Sequence, residues 1–201
     1  MTRLEQLWAG GFGDEYTERN RDAESGRRSF WESQLGALGV GSALEVGCNL
    51  GGNVRWIAEL LGPENVAGVD VNKKALDLLL ERVPGVDARL ASGADLPFVD
   101  ASFDLVFTMG VLIHQDPETQ LVPMMREIVR CSRRYVLAGE YHADSLTEVP
   151  YRGQEGALFK QDFGGLYQRL FDELDLVDSG FLSEGEGRWD DLTYWIFEKR
   201  E

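Results

Sequence analysis

Apolar positions along this chain follow two alternating rhythms. Short continuous apolar runs, such as Val66-Ala67-Gly68-Val69 and Leu105-Val106-Phe107, are separated by longer stretches where apolar residues return at three- and four-residue intervals. Runs apolar on both faces predict strands covered by helices on both sides, and the longer intervals predict amphipathic helices. The pattern predicts strands over 42–47, 65–70, 86–90, 103–108 and 134–140, with helices over 52–61, 72–82 and 117–131. That alternation implies right-handed crossovers and an α/β, doubly wound, mostly parallel sheet. Residues 174–181 and 192–199 then read as two more strands, separated by a turn-rich connector from Ser183 to Asp191. The expected sheet therefore has seven strands and ends in a C-terminal antiparallel hairpin.

Residues 1–40 read as helical, with Leu4, Leu7 and Trp8 on one stripe and Phe30, Trp31, Leu35 and Leu38 on a second. Between them Gly10-Gly11-Phe12-Gly13 forms a glycine-rich break. The expected organisation is an N-terminal helical lid over 1–40 and a core over 41–201. Residues 141–165 form a long insertion after the fifth strand, of the kind that tends to be functional.

Residues 43–53 hold the most informative local pattern. An apolar run ends in Glu45, passes through Gly47-Cys48-Asn49-Leu50-Gly51-Gly52 and opens an amphipathic segment. Strand, tight glycine loop and helix N-terminus bring a nucleotide-like ligand onto exposed backbone N–H groups. Asp70 closes the next apolar run about 20 residues later, where an acidic side chain can reach ribose hydroxyls. As a dinucleotide G-x-G-x-x-G loop, the segment has Asn49 in the middle glycine's place. Read as Glu45-x-Gly47-x-Asn49-x-Gly51, it resembles the acidic, glycine-rich loop of class I S-adenosylmethionine-dependent methyltransferases. Asn tolerates positive φ, so the turn survives Asn49 in either reading.

The resemblance extends along the chain. Ser92-Gly93-Ala94-Asp95-Leu96 sits where that family places an acid near the adenine amino group, and Thr108-Met109-Gly110 where it lines the cofactor. The segment Leu7-Trp8-Ala9-Gly10-Gly11-Phe12-Gly13-Asp14-Glu15-Tyr16-Thr17-Glu18-Arg19-Asn20 resembles the opening of the pseudaminic acid biosynthesis-associated methylases. So do Gly110-Val111-Leu112-Ile113-His114, Glu140-Tyr141, Tyr151-Arg152-Gly153-Gln154-Glu155 and Leu158-Phe159-Lys160-Gln161-Asp162-Phe163.

The resemblance implies S-adenosyl-L-methionine as cofactor. Glu45 would lie near its ammonium group, Asp70 would bind its ribose, Asp95 and Leu96 would meet its adenine, and Met109 and Gly110 would line it. Gly47, Cys48, Asn49, Asn53 and Val71 join the residues expected to bind the cofactor. Trp8, Tyr16 and Arg19 would cover it from the lid, unless Trp8, Phe12 and Tyr16 form an ordinary packed helix face. Asp70 could equally cap the helix that follows it.

Methyl transfer needs an aligned nucleophile and, for a hydroxyl or a protonated amine, removal of a proton. His114, after the fourth strand, is the leading base candidate, with a structural hydrogen bond as the alternative. Glu140 and Tyr141, at the carboxyl end of the fifth strand, are the other catalytic candidates, Glu140 equally fitting a capping or salt-bridged role. Tyr151, Arg152 and Lys160 are candidates for binding the acceptor, Arg offering a planar fork for oxyanions. Pairing of Arg152 and Lys160 with Glu148, Glu155 and Asp162 is the alternative.

Charge and composition narrow the partners. A formal net charge of −15 over 201 residues argues against a grip on nucleic acid. No apolar run approaches a membrane span and the first residues lack a signal-peptide core, so a cytoplasmic protein is expected. Cys48 and Cys131 supply neither a disulfide framework nor a zinc spacing, and no metal is expected. The expected partners are a small-molecule acceptor and, as an open alternative, a second copy in a homodimer. Three other functions stay open: cyclisation or aminocarboxypropyl transfer with the same cofactor, a non-catalytic cofactor-binding module, and a dinucleotide oxidoreductase.

Overall fold

The computed structural model describes residues 1–21, 26–183 and 189–200. Two short helices open the chain, α1 (Arg3–Ala9) and α2 (Gly11–Arg19), followed by α3 (Arg28–Leu38). The alternating core comprises β1 (Ala43–Val46), α4 (Val54–Leu61), β2 (Val66–Asp70), α5 (Lys73–Arg82), β3 (Asp87–Leu90), β4 (Phe103–Met109), α6 (Leu121–Cys131) and β5 (Ser132–Glu140). A two-stranded ribbon, β6 (Thr147–Glu148) and β7 (Phe159–Lys160), precedes α7 (Phe163–Leu170), β8 (Leu174–Leu182) and β9 (Leu192–Lys199).

The main sheet runs β3-β2-β1-β4-β5-β9-β8. Pairing is parallel from β3 to β5, and β9 alone runs antiparallel to both its neighbours. The expected mostly parallel seven-stranded sheet with its terminal hairpin is therefore present. Strand order reverses between β1 and β4, which opens a crevice beyond the carboxyl ends of those two strands.

Successive strand residues feed opposite faces. Leu105 and Phe107 pack with Trp31, Ile57 and Leu79 under α3, α4 and α5, while Leu44, Val46 and Val106 pack with Met124, Ile128 and Tyr167 under α6 and α7. In α6 the buried positions Leu121, Met124, Met125, Ile128 and Val129 recur at three- and four-residue spacing, the stripe of a helix lying on a sheet.

Differences from the expected elements have local causes. α4 starts at Val54 rather than 52 because Gly51, at φ 84°, still belongs to the turn. α6 starts at Leu121 rather than 117 because the Asp116 carboxylate accepts the Glu118 and Thr119 N–H groups in a local turn. The expected lid over 1–40 divides in two. Trp31 is fully buried, with its ring centroid 4.6 Å from Phe107, so α3 belongs to the core layer; α1 and α2 alone remain outside it. Gly10 separates these two helices. A Cβ on Gly13 would stand 1.8 Å from the Trp8 carbonyl oxygen, so only glycine lets the second helix approach the first this closely.

Candidate functional site

The crevice at the strand reversal holds a cavity of about 170 Å³. Its floor is the loop after β1. Gly47 takes φ 79° and Asn49 φ 46°, the left-handed region that glycine and asparagine tolerate. A Cβ on Gly47 would stand 2.5 Å from the Val111 side chain, so backbone is exposed where any larger residue would collide. The Gly47 and Cys48 N–H groups donate to the Val69 carbonyl at 2.7 and 3.0 Å, tying the loop to the end of β2.

Asp70 stands at that end. One carboxylate oxygen accepts the Asn49 N–H at 2.8 Å and the other accepts the Asn72 N–H at 2.8 Å. Burial raises its pKa, while those N–H groups oppose the shift. The Val71 N–H also stabilises the carboxylate, whose two oxygens together offer about four acceptor positions, and the residue lines the cavity. The Asn72 side-chain amide, not Asp70, caps α5, with its oxygen accepting the Ala75 N–H at 2.8 Å.

Glu45 and Asn53 form another part of the wall. The Asn53 amide donates to Glu45 at 2.6 Å, and its oxygen accepts from the Trp31 indole at 3.2 Å and the Arg27 guanidinium at 3.4 Å. Arg27 lies 4.6 Å over the Trp189 ring and lines the cavity, as does Asp190 beside that tryptophan. A carboxylate and a guanidinium thus bound one cavity, joined through Asn53.

Elsewhere the wall is more apolar, with Leu4, Ala91, Gly93 and Met124 beside Glu5. A Cβ on Gly93 would meet the Met124 side chain at 2.2 Å. Glu5 accepts from the Ser92 hydroxyl and from the Gln120 amide at 3.0 Å. Its burial favours the neutral form, yet the bonds from Ser92 and Thr2 hold its pKa below the usual carboxylate value.

The first two helices close the site from above. Asn72 donates to the Trp8 carbonyl at 3.0 Å and to Asp14 at 2.9 Å, and Asn49 donates to Thr17 at 3.1 Å. The Trp8 ring packs 4.6 Å from His114 and 5.2 Å from Phe12, and Tyr151 of the insertion stacks 5.0 Å from His114. Arg3 adds a bond to the Gly156 carbonyl at 2.6 Å. Helix α1 therefore touches the 141–165 segment across the cavity's edge.

His114 lines the cavity and is 8% exposed. Its Nδ1 lies 2.6 Å from the Ala157 carbonyl oxygen, which can only accept, so Nδ1 carries the proton and Nε2 keeps its lone pair. Burial lowers its pKa to about 4, the bond to Ala157 opposing the shift.

Most expected site residues meet here. Trp8, Tyr16, Glu45, Gly47, Cys48 and Asn49 line the cavity, as do Asn53, Asp70, Val71, Met109, Gly110 and His114. Eight do not. Arg19 is exposed, 3.9 Å from Glu15, and Arg27 takes the inward place. Asp95 is an exposed turn residue and Leu96 sits in the core, whereas Glu5 lines the cavity. Glu140 is fully buried behind the 110–115 loop, which removes it as a direct proton acceptor. Tyr141 lies under Lys160, whose ammonium is 5.0 Å from the ring centroid, and Arg152 lies 5.9 Å over Tyr151. Tyr141, Tyr151, Arg152 and Lys160 thus gather outside the cavity wall, and neither cation forms an ion pair with another described residue.

Glu5, Asn20, Arg27, Asn72, Gln115 and Asp190 line the cavity without having been singled out. The Thr2-x-x-Glu5 capping box was a readable signal for Glu5, although capping alone does not reveal a cavity residue. No sequence pattern separates Arg27 from Arg28.

Residues 43–134 match the family model described as a methyltransferase domain. The chain has the class I methyltransferase fold. Superposition on the magnesium protoporphyrin IX methyltransferase of Synechocystis PCC 6803 with bound S-adenosylhomocysteine gives a TM-score of 0.74 at 14% identity, covering 98% of each chain. The 1,6-didemethyltoxoflavin-N1-methyltransferase of Burkholderia thailandensis gives 0.71 at 18%, covering 98% of this chain and 88% of that one. In sequence, the methyltransferase GfsG of Streptomyces halstedii is 28% identical over 142 residues, 67% of this chain and 51% of that protein. A phthiotriol/phenolphthiotriol dimycocerosates methyltransferase of Mycobacterium tuberculosis is 35% identical over 74 residues, 36% of this chain and 27% of that protein. The match thus spans about half the length of the first relative and less of the second. Among the described residues no helix of this methyltransferase fold is long and apolar enough to cross a membrane.

Proposed function

We propose that this chain is an S-adenosylmethionine-dependent methyltransferase acting on oxygen or nitrogen of a small polar metabolite. The observation that carries the cofactor is the Asp70 carboxylate, which lines the cavity beside a glycine loop and is fixed there by the Asn49 and Asn72 N–H groups. That arrangement suits the two hydroxyls of a ribose. Ala91, Gly93 and Met124 offer an apolar slot for adenine, while Glu45 and Arg27 supply opposite charges for an amino-acid ammonium and carboxylate. The residues present therefore fit the cofactor along its length.

When bound, S-adenosylmethionine supplies an activated methyl group on a sulfonium. The chain's own part is to hold an acceptor atom in line, exclude water and take a proton where the acceptor carries one. His114 offers Nε2 for the last role, and α1 and α2 form a lid with Trp8. Tyr151, Arg152 and Lys160 border the acceptor's approach and favour an acceptor with an anionic group. The structural neighbours named as methyltransferases of magnesium protoporphyrin IX and of 1,6-didemethyltoxoflavin support a small-molecule acceptor. The resemblance of 7–20, 110–114 and 151–163 to the pseudaminic acid-associated methylases favours sugars, nucleotide sugars and natural-product precursors.

Product analysis tests the reading. Incubation with S-adenosylmethionine and a panel of such acceptors should release S-adenosylhomocysteine and an acceptor heavier by one methylene. Release of methylthioadenosine would replace methyl transfer with cyclisation or aminocarboxypropyl transfer. Binding without turnover across the panel would make the chain a cofactor-binding module.

The lid has its own test. Residues 5–20 are tied to the core by polar bonds with Asn49, Asn72, Ser92, Gln120 and Lys74 and by the Trp8 ring cluster, and bound ligand should add protection to what these supply. Amide hydrogen exchange there should slow on adding S-adenosylhomocysteine. Equal exchange with and without it would make α1 and α2 ordinary core.

A further inference from the structure

The loop over 110–115 carries Gly110, Val111, His114 and Gln115 into the cavity, yet it holds only one turn of 3₁₀ helix, Leu112–His114. Its backbone is anchored from behind by one side chain. Glu140, the last residue of β5, is fully buried, and its carboxylate accepts the Val111 and Ile113 N–H groups at 3.3 Å each. The Leu112 N–H also favours the charged form. Three consecutive N–H groups directed at one carboxylate make an anion nest, an arrangement whose strength depends on the charge it encloses.

We propose that Glu140 is a positioning residue: its buried carboxylate holds the 110–115 loop in the ligand-binding arrangement, and loss of that charge releases the loop. The proposal rests on the cofactor reading above. Glu140 itself does not line the cavity, so it acts through the loop rather than on the ligand.

The surroundings make that charge sensitive to pH. Thr108 of β4 presents a hydroxyl that favours the charged form, and the Tyr141 phenol adjoins in sequence. The Tyr167 hydroxyl of α7, buried without a hydrogen-bond partner, feels the Glu140 charge. Among the described residues no cation pairs with Glu140. Burial raises its pKa to about 7, against the opposing pull of the loop N–H groups. A neutral carboxyl keeps one carbonyl acceptor and turns its other oxygen into a donor, so it satisfies fewer of the three N–H groups.

The sign follows from linkage. Ligand that binds the held loop favours charged Glu140, lowers its pKa and therefore binds more weakly as pH falls through the neutral range. A coupling of one pKa unit has a tenfold limit, so with Glu140 at about 7 without ligand the dissociation constant for S-adenosylhomocysteine should rise roughly fivefold from about pH 8 to about pH 6. The same titrations on Glu140→Gln, which cannot ionise, should give weak binding at both pH values and a flat profile.

Calorimetry on the full chain reads both, and carbon-13 labelling of the glutamate carboxyls adds a readout on unaltered protein. The Glu140 carboxyl should titrate at lower pH with ligand than without it. A flat affinity profile in the unaltered protein, a Glu140→Gln variant that keeps the slope, or a carboxyl titration indifferent to ligand would each overturn the proposal. If Glu140→Gln does not fold, the carboxyl titration decides alone. No binding of S-adenosylhomocysteine at any pH would overturn the cofactor reading and this proposal with it.

Discussion

Asp70→Ala should weaken S-adenosylhomocysteine binding by about 1.5–3 kcal/mol, the range for hydrogen bonds to a charged group, or roughly 10- to 150-fold. Two effects contribute. The ribose would lose both carboxylate oxygens, and the Asn49 and Asn72 N–H groups would lose their acceptor. The second effect disturbs the loop even without ligand, so Asp70→Asn is the companion variant. Asn keeps one carbonyl acceptor at the same place and removes the charge. Calorimetry should rank the affinities as unaltered protein, then Asp70→Asn, then Asp70→Ala. Unchanged affinity in a folded Asp70→Ala variant would remove Asp70 from the cofactor site and leave it as a loop brace.

His114→Ala should lower kcat by roughly 10²-fold, the low end for general acid–base catalysis, with little change in cofactor affinity. The low end follows from its environment. A histidine whose pKa is lowered to about 4 is neutral throughout the physiological range, but it holds a captured proton weakly. The acidic limb of the kcat profile, measured at saturating cofactor, should therefore lie near pH 4 rather than near the unperturbed pKa of about 6.5. Stability shifts in the same window. The unfolded chain protonates His114 at higher pH than the folded chain does, so the histidine's contribution to stability is lost as pH falls from about 6.5 towards 4. The alanine variant should lack that component of acid destabilisation. A variant with near-normal kcat would remove His114 from proton transfer and point to an acceptor already ionised at neutral pH.

The readable parts of this molecule are those governed by local repetition. Apolar runs apolar on both faces marked β1, β2 and β4, and two apolar runs flanking a turn-rich sequence over 183–191 marked β8 and β9. Asp70 was readable because a strand end and a glycine loop lie about 20 residues apart in any such crossover. What stayed hidden depends on long-range packing. Trp31 reads like any lid aromatic until its indole is seen bonding to Asn53. Glu140 lies at a strand's carboxyl end, the usual place for a catalytic group, yet β4 and the 110–115 loop cover it. Asp95 matches a family position but is exposed in a turn, while Glu5 of α1, bonded to Ser92, is a carboxylate that lines the cavity. Arg27 reaches the cavity through the packing of α3 on Asn53, which no spacing rule encodes.

A crystal structure of the unaltered protein with S-adenosylhomocysteine tests the central claim most directly. The account predicts both ribose hydroxyls on the Asp70 carboxylate, adenine between Ala91, Gly93 and Met124, and the amino-acid end between Glu45 and Arg27. Ligand lying elsewhere, or lying in this cavity with its ribose away from Asp70, would contradict it.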